Sequence, residues 1–182
     1  MIKRKGLLIV VSGPSGAGKG TICKELLKRR DIDVSVSATT REPREGEIDG
    51  KNYHFLTKDE FENKIENDEF LEYAKVYDNY YGTPKEYVLE KISRGEDVLL
   101  EIDIQGALQV REKYPEGIFV FILPPSMEEL KARIINRGSE TKESLEKRFS
   151  SAYGEIKYLK KYDYFIINDI IDEATDTLTS II

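Results

Sequence analysis

The apolar run Leu7–Val11 leads straight into GPSGAGKGT, Gly13–Thr21, and no other stretch limits the possible folds as tightly. A strand, a glycine-rich turn with the spacing GxxxxGK and a helix over Gly20–Arg29 make one unit whose backbone N–H groups converge on an anion. Gly13, Gly16 and Gly18 let the chain turn, while Pro14, Ser15 and Ala17 fill the positions between them. Lys19 adds an ammonium where β- and γ-phosphates would lie, and the helix aims its positive dipole end at the same point. Gly20 stands where a hydroxyl usually follows the lysine, with Thr21 one place later, so no direct metal ligand is expected from the loop.

At 182 residues and 40% apolar content the chain is long enough for one well-buried core with a small inserted lobe. No run approaches the roughly 20 apolar residues of a membrane span, and Met1–Gly6 is followed only by a strand-length run. The chain reads as soluble and cytoplasmic, with no membrane partner. A lone Cys23 excludes an internal disulfide and reads as a core residue. The single histidine, His54, excludes a histidine pair for metal or proton relay and reads as a surface residue. A net charge of -6 argues against general nucleic-acid affinity, so anion recognition has to come from local arginines.

Apolar β-rich runs at Leu7–Ser12, Val98–Ile104, Ile118–Leu123 and Tyr164–Asn168 alternate with helical periodicity, which is an α/β pattern. Runs such as FVFIL suit a parallel sheet covered on both faces, whose ligands sit at the strands' carboxyl ends. Gly13, Asp103 and Asn168 fall there. Ser126 with Glu129 and Thr57 with Glu60 have capping-box spacing; Thr83-Pro84 opens another helix with proline at its first position, and Gly95 ends it. Between Val34 and Tyr81 shorter segments predict a small inserted sheet and one helix, with turns at Gly46 and Gly50. The polar stretch Asn136–Lys142, flanked by arginines, reads as mobile.

Arg41 and Arg44 lie three apart in the loop of SATTREPREGEIDGKNYHF, Ser37–Phe55, a placement suited to gripping a monophosphate, with Tyr53 and Tyr81 as hydroxyl donors. Surface ion pairs explain such arginines equally well on this segment alone. The whole arrangement, however, resembles the guanylate kinases nearly end to end. The resemblance is carried by the phosphate loop, SATTR, the REGE turn, FLEY (Phe70–Tyr73), NYYGT (Asn79–Thr83), EIDIQG (Glu101–Gly106), PPS (Pro124–Ser126) and RG followed by ETKESLEKR ending at Arg148.

That resemblance implies a phosphate-loop parallel sheet flanked by helices, with core segments 1–35, 93–135 and 151–182, a GMP-binding lobe over 36–92 and a lid over 136–150, all as one compact unit. It implies transfer of the γ-phosphoryl group of ATP to GMP and dGMP. By resemblance Arg41, Arg44, Tyr53 and Tyr81 hold the acceptor phosphate, and Ser37, Glu72, Thr83 and Asp103 hold guanine. Lys19, Arg133, Arg137 and Arg148 surround the transferred group, and the adenine of ATP lies near Asn168. The residues agree: guanine presents an amine and a ring N–H, and carboxylates facing them favour it over adenine. Thr83 has a second reading, as cap of the helix beginning at Pro84.

Phosphoryl transfer needs positioning, Mg2+ and spread cationic charge rather than an enzyme nucleophile or base, so none is nominated. Mg2+ is expected mainly on nucleotide phosphates and water. Glu101 and Asp103, two apart at a strand end, approach it through water, although the family usually carries Asp at 101 and Ser at 20. Closure of lid and acceptor lobe is expected on binding, to keep water from the γ-phosphate. Two other readings compete: a kinase of another monophosphate, AMP or a pyrimidine nucleotide, and a scaffold domain that binds peptides. The scaffold reading conflicts with the intact set Lys19, Arg133, Arg137 and Arg148.

Overall fold

The computed structural model describes residues 4–76, 78–136 and 142–182. The elements run β1 (Leu8–Ser12), α1 (Lys19–Arg29), β2 (Asp33–Val34), β3 (Ala38–Thr39), β4 (His54–Phe55), α2 (Lys58–Glu66), β5 (Phe70–Val76) and β6 (Asn79–Pro84). They continue with α3 (Lys85–Arg94), β7 (Val98–Glu101), α4 (Ile104–Lys113), β8 (Ile118–Leu123), α5 (Met127–Asn136), α6 (Lys142–Glu155), a 3-10 turn (Ile156–Lys161), β9 (Tyr164–Ile167) and α7 (Ile171–Ile181). One sheet has the order β2-β7-β1-β8-β9, and its pairs β2·β7, β1·β8 and β8·β9 are parallel. A second, mixed sheet has the order β4-β3-β6-β5, parallel between β3 and β4 and antiparallel elsewhere. The α/β reading with a parallel sheet, helices and a small second sheet therefore stands.

Contacts divide the chain into two compact units. Met1–Leu8, Ile32–Leu100 and Gln105–Gly117 form one, and Ile9–Asp31, Glu101–Ile104 and Ile118–Ile182 form the other. In the first unit α2 packs on the mixed sheet through Phe61, which stacks on Phe70 at 4.3 Å and Tyr80 at 5.2 Å between ring centroids. The helix begins where the sequence places it, in a full capping box between Thr57 and Glu60. In the second unit the inner strands β1 and β8 are apolar through their cores, as burial on both faces requires: Ile9–Val11 and Phe119–Ile122 are all buried. Arg29 at the end of α1 forks onto Asp172 and Asp176 of α7, and Arg30 donates to the Thr179 carbonyl.

Two boundaries differ from expectation. The run Val98–Ile104 stops pairing as β7 at Glu101, because Ile104, Ala107 and Val110 are buried at helical spacing and draw the chain into α4. Asp103 consequently sits just ahead of a helix and not on a strand. Pro84 ends β6 and caps α3 instead of opening its first turn, and no side chain caps that helix. Gly95 closes it in the left-handed region, φ 89°, as expected.

Candidate active site

The loop between β1 and α1 is fixed by close approaches that only glycine permits. Gly13 has φ 143°, and a Cβ there would stand 2.3 Å from the Ile122 carbonyl oxygen of β8. Gly18 has φ 93°, and its Cβ would stand 2.2 Å from the Asn168 amide nitrogen. Lys19 Nζ donates to the carbonyls of Gly13, at 2.6 Å, and Pro14, at 3.2 Å, which holds the ammonium across the loop. Burial lowers its pKa, and the carboxylates of Glu101, Glu155 and Asp103 oppose that shift without cancelling it. The first turn of α1 contains no acidic residue and Gly18 makes no side-chain cap, so the positive end of the helix dipole is not offset by a side chain of that turn.

Asn168, just past β9, is 3% exposed and braces this loop: its Nδ2 donates to the Ala17 carbonyl at 2.7 Å, and its own N–H donates to the Leu123 carbonyl at 2.8 Å. Its Oδ1 is buried with no partner among the described residues. Arg133 on α5 is bound to the same point. Its Nη1 donates to the Asn168 carbonyl at 3.1 Å while its Nε pairs with Glu129 at 3.0 Å. The structure thus gathers Gly13–Thr21, Arg133 and Asn168 at the carboxyl ends of β1, β8 and β9. Arg137 lies outside the described residues, and Arg148 falls on α6 with its side chain outside the described part.

Glu101 relates to Gly20 in a way the separate letters conceal. A Cβ built on Gly20 would lie 3.2 Å from Glu101 Oε1, so the longer carboxylate fills the space that a side chain at position 20 would use. Burial raises the Glu101 pKa, and Lys19 moderates that shift. Among the described residues no group of three or more His, Cys, Asp or Glu forms a metal cage. Glu101 and Asp103 supply hard carboxylate oxygens, which fit a divalent cation such as Mg2+.

In the other unit, Arg41 is packed against aromatic rings and paired with a carboxylate. Its guanidinium lies 5.4 Å from the Tyr53 ring centroid and 5.7 Å from that of Phe55, and Tyr53 packs edge-on to Tyr81 at 6.0 Å. Glu47, a residue the sequence reading left without a role, accepts from Arg41 Nη2 at 2.9 Å and from the Arg44 backbone N–H at 2.7 Å. These bonds lower the Glu47 pKa, and the Glu47 bond is also the main reason the Arg41 pKa is raised. The spacing gave a signal, since Glu47 follows Arg44 by three in the REGE turn. Ser37 immediately precedes β3, and its carbonyl accepts from the His54 N–H at 2.9 Å. His54 itself is exposed, as expected, and Cys23 is buried, with its thiol pKa pushed well up by burial.

Glu72 and Thr83 face each other across β5 and β6. They are 4% and 0% exposed, and Thr83 Oγ1 donates to Glu72 Oε1 at 2.6 Å. This corrects the capping reading of Thr83: its hydroxyl orients a buried carboxylate instead of a helix terminus. A buried carboxylate accepts hydrogen bonds only, and its burial makes such bonds count for more than they would in water.

With its glycines sterically required and its lysine drawn over the mouth of the loop, the chain is a phosphate-loop α/β protein. Comparison with known sequences narrows the class: the guanylate kinase model matches residues 5–182, and the chain belongs to the guanylate kinase family. It is 67% identical over 181 residues to a guanylate kinase of Clostridium acetobutylicum, covering 100% of this chain and 87% of that protein. Against a guanylate kinase of Caldanaerobacter subterraneus subsp. tengcongensis it is 63% identical over 182 residues, covering 100% of this chain and 88% of the relative. A crystal structure of guanylate kinase from Anaplasma phagocytophilum superposes with a TM-score of 0.82 at 36% identity, covering 98% of this chain and 85% of that one.

Proposed function

We propose that this chain transfers the γ-phosphoryl group of ATP to GMP, and also to dGMP, giving ADP and GDP and so recycling guanine nucleotides. The observation that carries the choice of acceptor is the buried Glu72 carboxylate held by Thr83. An oxygen of the acceptor's phosphate attacks the γ-phosphorus, the bond from that phosphorus to the β–γ bridging oxygen breaks, and ADP departs with the electron pair. No proton has to move through the enzyme, which accords with the absence of a nominated base. The loop Gly13–Thr21 holds the donor phosphates, and Asn168 belongs to the same donor side. Lys19 neutralises charge growing on the transferred oxygens, joined by Arg133, Arg137 and Arg148.

Arg41, Arg44, Tyr53 and Tyr81 hold the acceptor's phosphate, and Ser37, Glu72, Thr83 and Asp103 read its base. Adenine would leave those acceptors unpaired, at about 1–3 kcal/mol for each buried group. Mg2+ bound with the nucleotide supplies further charge neutralisation. No helix among the described residues is long and apolar enough to cross a membrane, and a reaction between ATP and GMP fits the cytoplasm. A coupled ADP-release assay with GMP, dGMP, AMP, CMP and UMP tests the reading. GMP and dGMP should be used well and the others poorly; preference for AMP would overturn the base assignment.

A further inference from the structure

Strand β5 is an edge of the mixed sheet, and its ladder with β6 slips by one residue at the position that matters most. Phe70 stands opposite Pro84, yet Glu72 stands opposite Thr83, so Leu71 is the extra residue of a β-bulge. The burial pattern shows the break: Phe70, Leu71 and Glu72 are buried in succession, where a regular strand would alternate. A bulge re-aims the side chain beside it and leaves main-chain groups without ladder partners. Here the aim is that of Glu72, toward Thr83.

Helix α4 covers that free edge with two side chains one turn apart. Gln109 acts as a missing strand residue: its Nε2 donates to the Tyr73 carbonyl at 2.7 Å, and its Oε1 accepts from the Tyr73 N–H at 3.3 Å. Lys113 Nζ donates to the carbonyl of Leu71, the bulged residue, at 2.9 Å. The two clamps therefore bracket Glu72 along the backbone, on either side of its Cα. We propose that Gln109 and Lys113 are positioning residues for base selection, which lock the Leu71 bulge so that Glu72 meets the guanine donors. The proposal rests on the reading of Glu72 as a guanine contact. Neither residue touches the nucleotide; both act through the carboxylate.

Gln109→Leu removes both amide bonds while keeping the volume and helix propensity of the side chain. Lys113→Met removes the ammonium, and Lys113→Arg is the conservative control. KM and kcat are measured for GMP and for inosine monophosphate, which lacks the exocyclic amine, in wild type, each variant, Glu72→Gln, and the double variant Gln109→Leu/Glu72→Gln. Gln109→Leu should cut the preference for GMP over inosine monophosphate by roughly tenfold through the KM for GMP, leaving the KM for ATP within about twofold. Lys113→Met should act in the same direction, with Lys113→Arg restoring wild-type behaviour. In the Glu72→Gln background, Gln109→Leu should remove no further preference, because its route is already cut.

If Glu72→Gln abolishes the preference while Gln109→Leu preserves it, or if the two losses simply add, the clamp is overturned and the reading of Glu72 stands. If Glu72→Gln leaves the preference intact, the reading of Glu72 falls, and the clamp's role in selection falls with it.

Discussion

Burial pulls the Lys19 ammonium below its ordinary pKa, while the carboxylates of Glu101, Glu155 and Asp103 pull it upward without restoring it. Because the folded pKa lies below the unfolded 10.5, the charge burdens the ligand-free fold at all pH below the folded value, and the burden lifts as pH rises toward 10.5. Lys19→Met should therefore melt no lower than wild type near neutral pH, although its turnover falls on the order of a hundredfold or more. Phosphate oxygens brought beside the ammonium raise its pKa again. Calorimetry of ATP binding at a series of pH values up to 10.5, in two buffers of different ionisation enthalpy, should show proton uptake in wild type and none in Lys19→Met; no uptake in wild type at any of them would contradict the account. The Gly20 and Glu101 pair makes a second residue-level case. Gly20→Ser crowds the Glu101 carboxylate and Glu101→Asp withdraws it by one methylene, so each single variant should weaken Mg2+-dependent ATP binding, by about fivefold, and the double variant should recover. Additive losses in the double variant, by calorimetry with and without a chelator, would show the two positions to be independent.

Elements with local punctuation were readable from the letters alone. The box Thr57-x-x-Glu60 starts α2, with Thr57 N donating to Glu60 Oε2 at 2.7 Å and Glu60 N donating to Thr57 Oγ1 at 3.2 Å. Glu129 N likewise meets Ser126 Oγ at 3.0 Å ahead of α5. Thr57→Ala should cost about 1 kcal/mol, seen as a melting temperature lower by about 2–4 °C, with kcat unchanged. These bonds lower the Glu60 pKa, so that part of the stability is present above the ordinary carboxylate range and lost as pH falls through the depressed value. The bulge at Leu71 was not readable. Its register depends on partners in β6 and on Gln109, 36 residues further along, and FLEY carries no glycine or proline to mark it. The second reading of Thr83, as a helix cap, fails for a related reason, since a hydroxyl before proline fits a cap locally and only the strand opposite shows that it donates to Glu72.

Across the whole molecule, the α/β class followed from fully apolar strands such as β8, and the phosphate loop from its spacing, because both are local consequences of chain geometry. The Arg41, Tyr53 and Tyr81 grouping emerged from composition only as a candidate anion site, because ion pairing predicts the same letters; the packing of Arg41 on Tyr53 and Phe55 depends on three separate segments. Grouping Gln105–Gly117 with Ile32–Leu100 likewise rests on distant contacts, such as Lys113 with Leu71, that no local pattern announces. All of these features serve one claim, that a γ-phosphoryl group passes directly from ATP to GMP. ATP labelled with 32P at the γ-position, incubated with GMP and Mg2+, should place its label in the β-phosphate of GDP, in step with ADP release and only when GMP is present. Label released as inorganic phosphate at the same rate with or without GMP would contradict that claim.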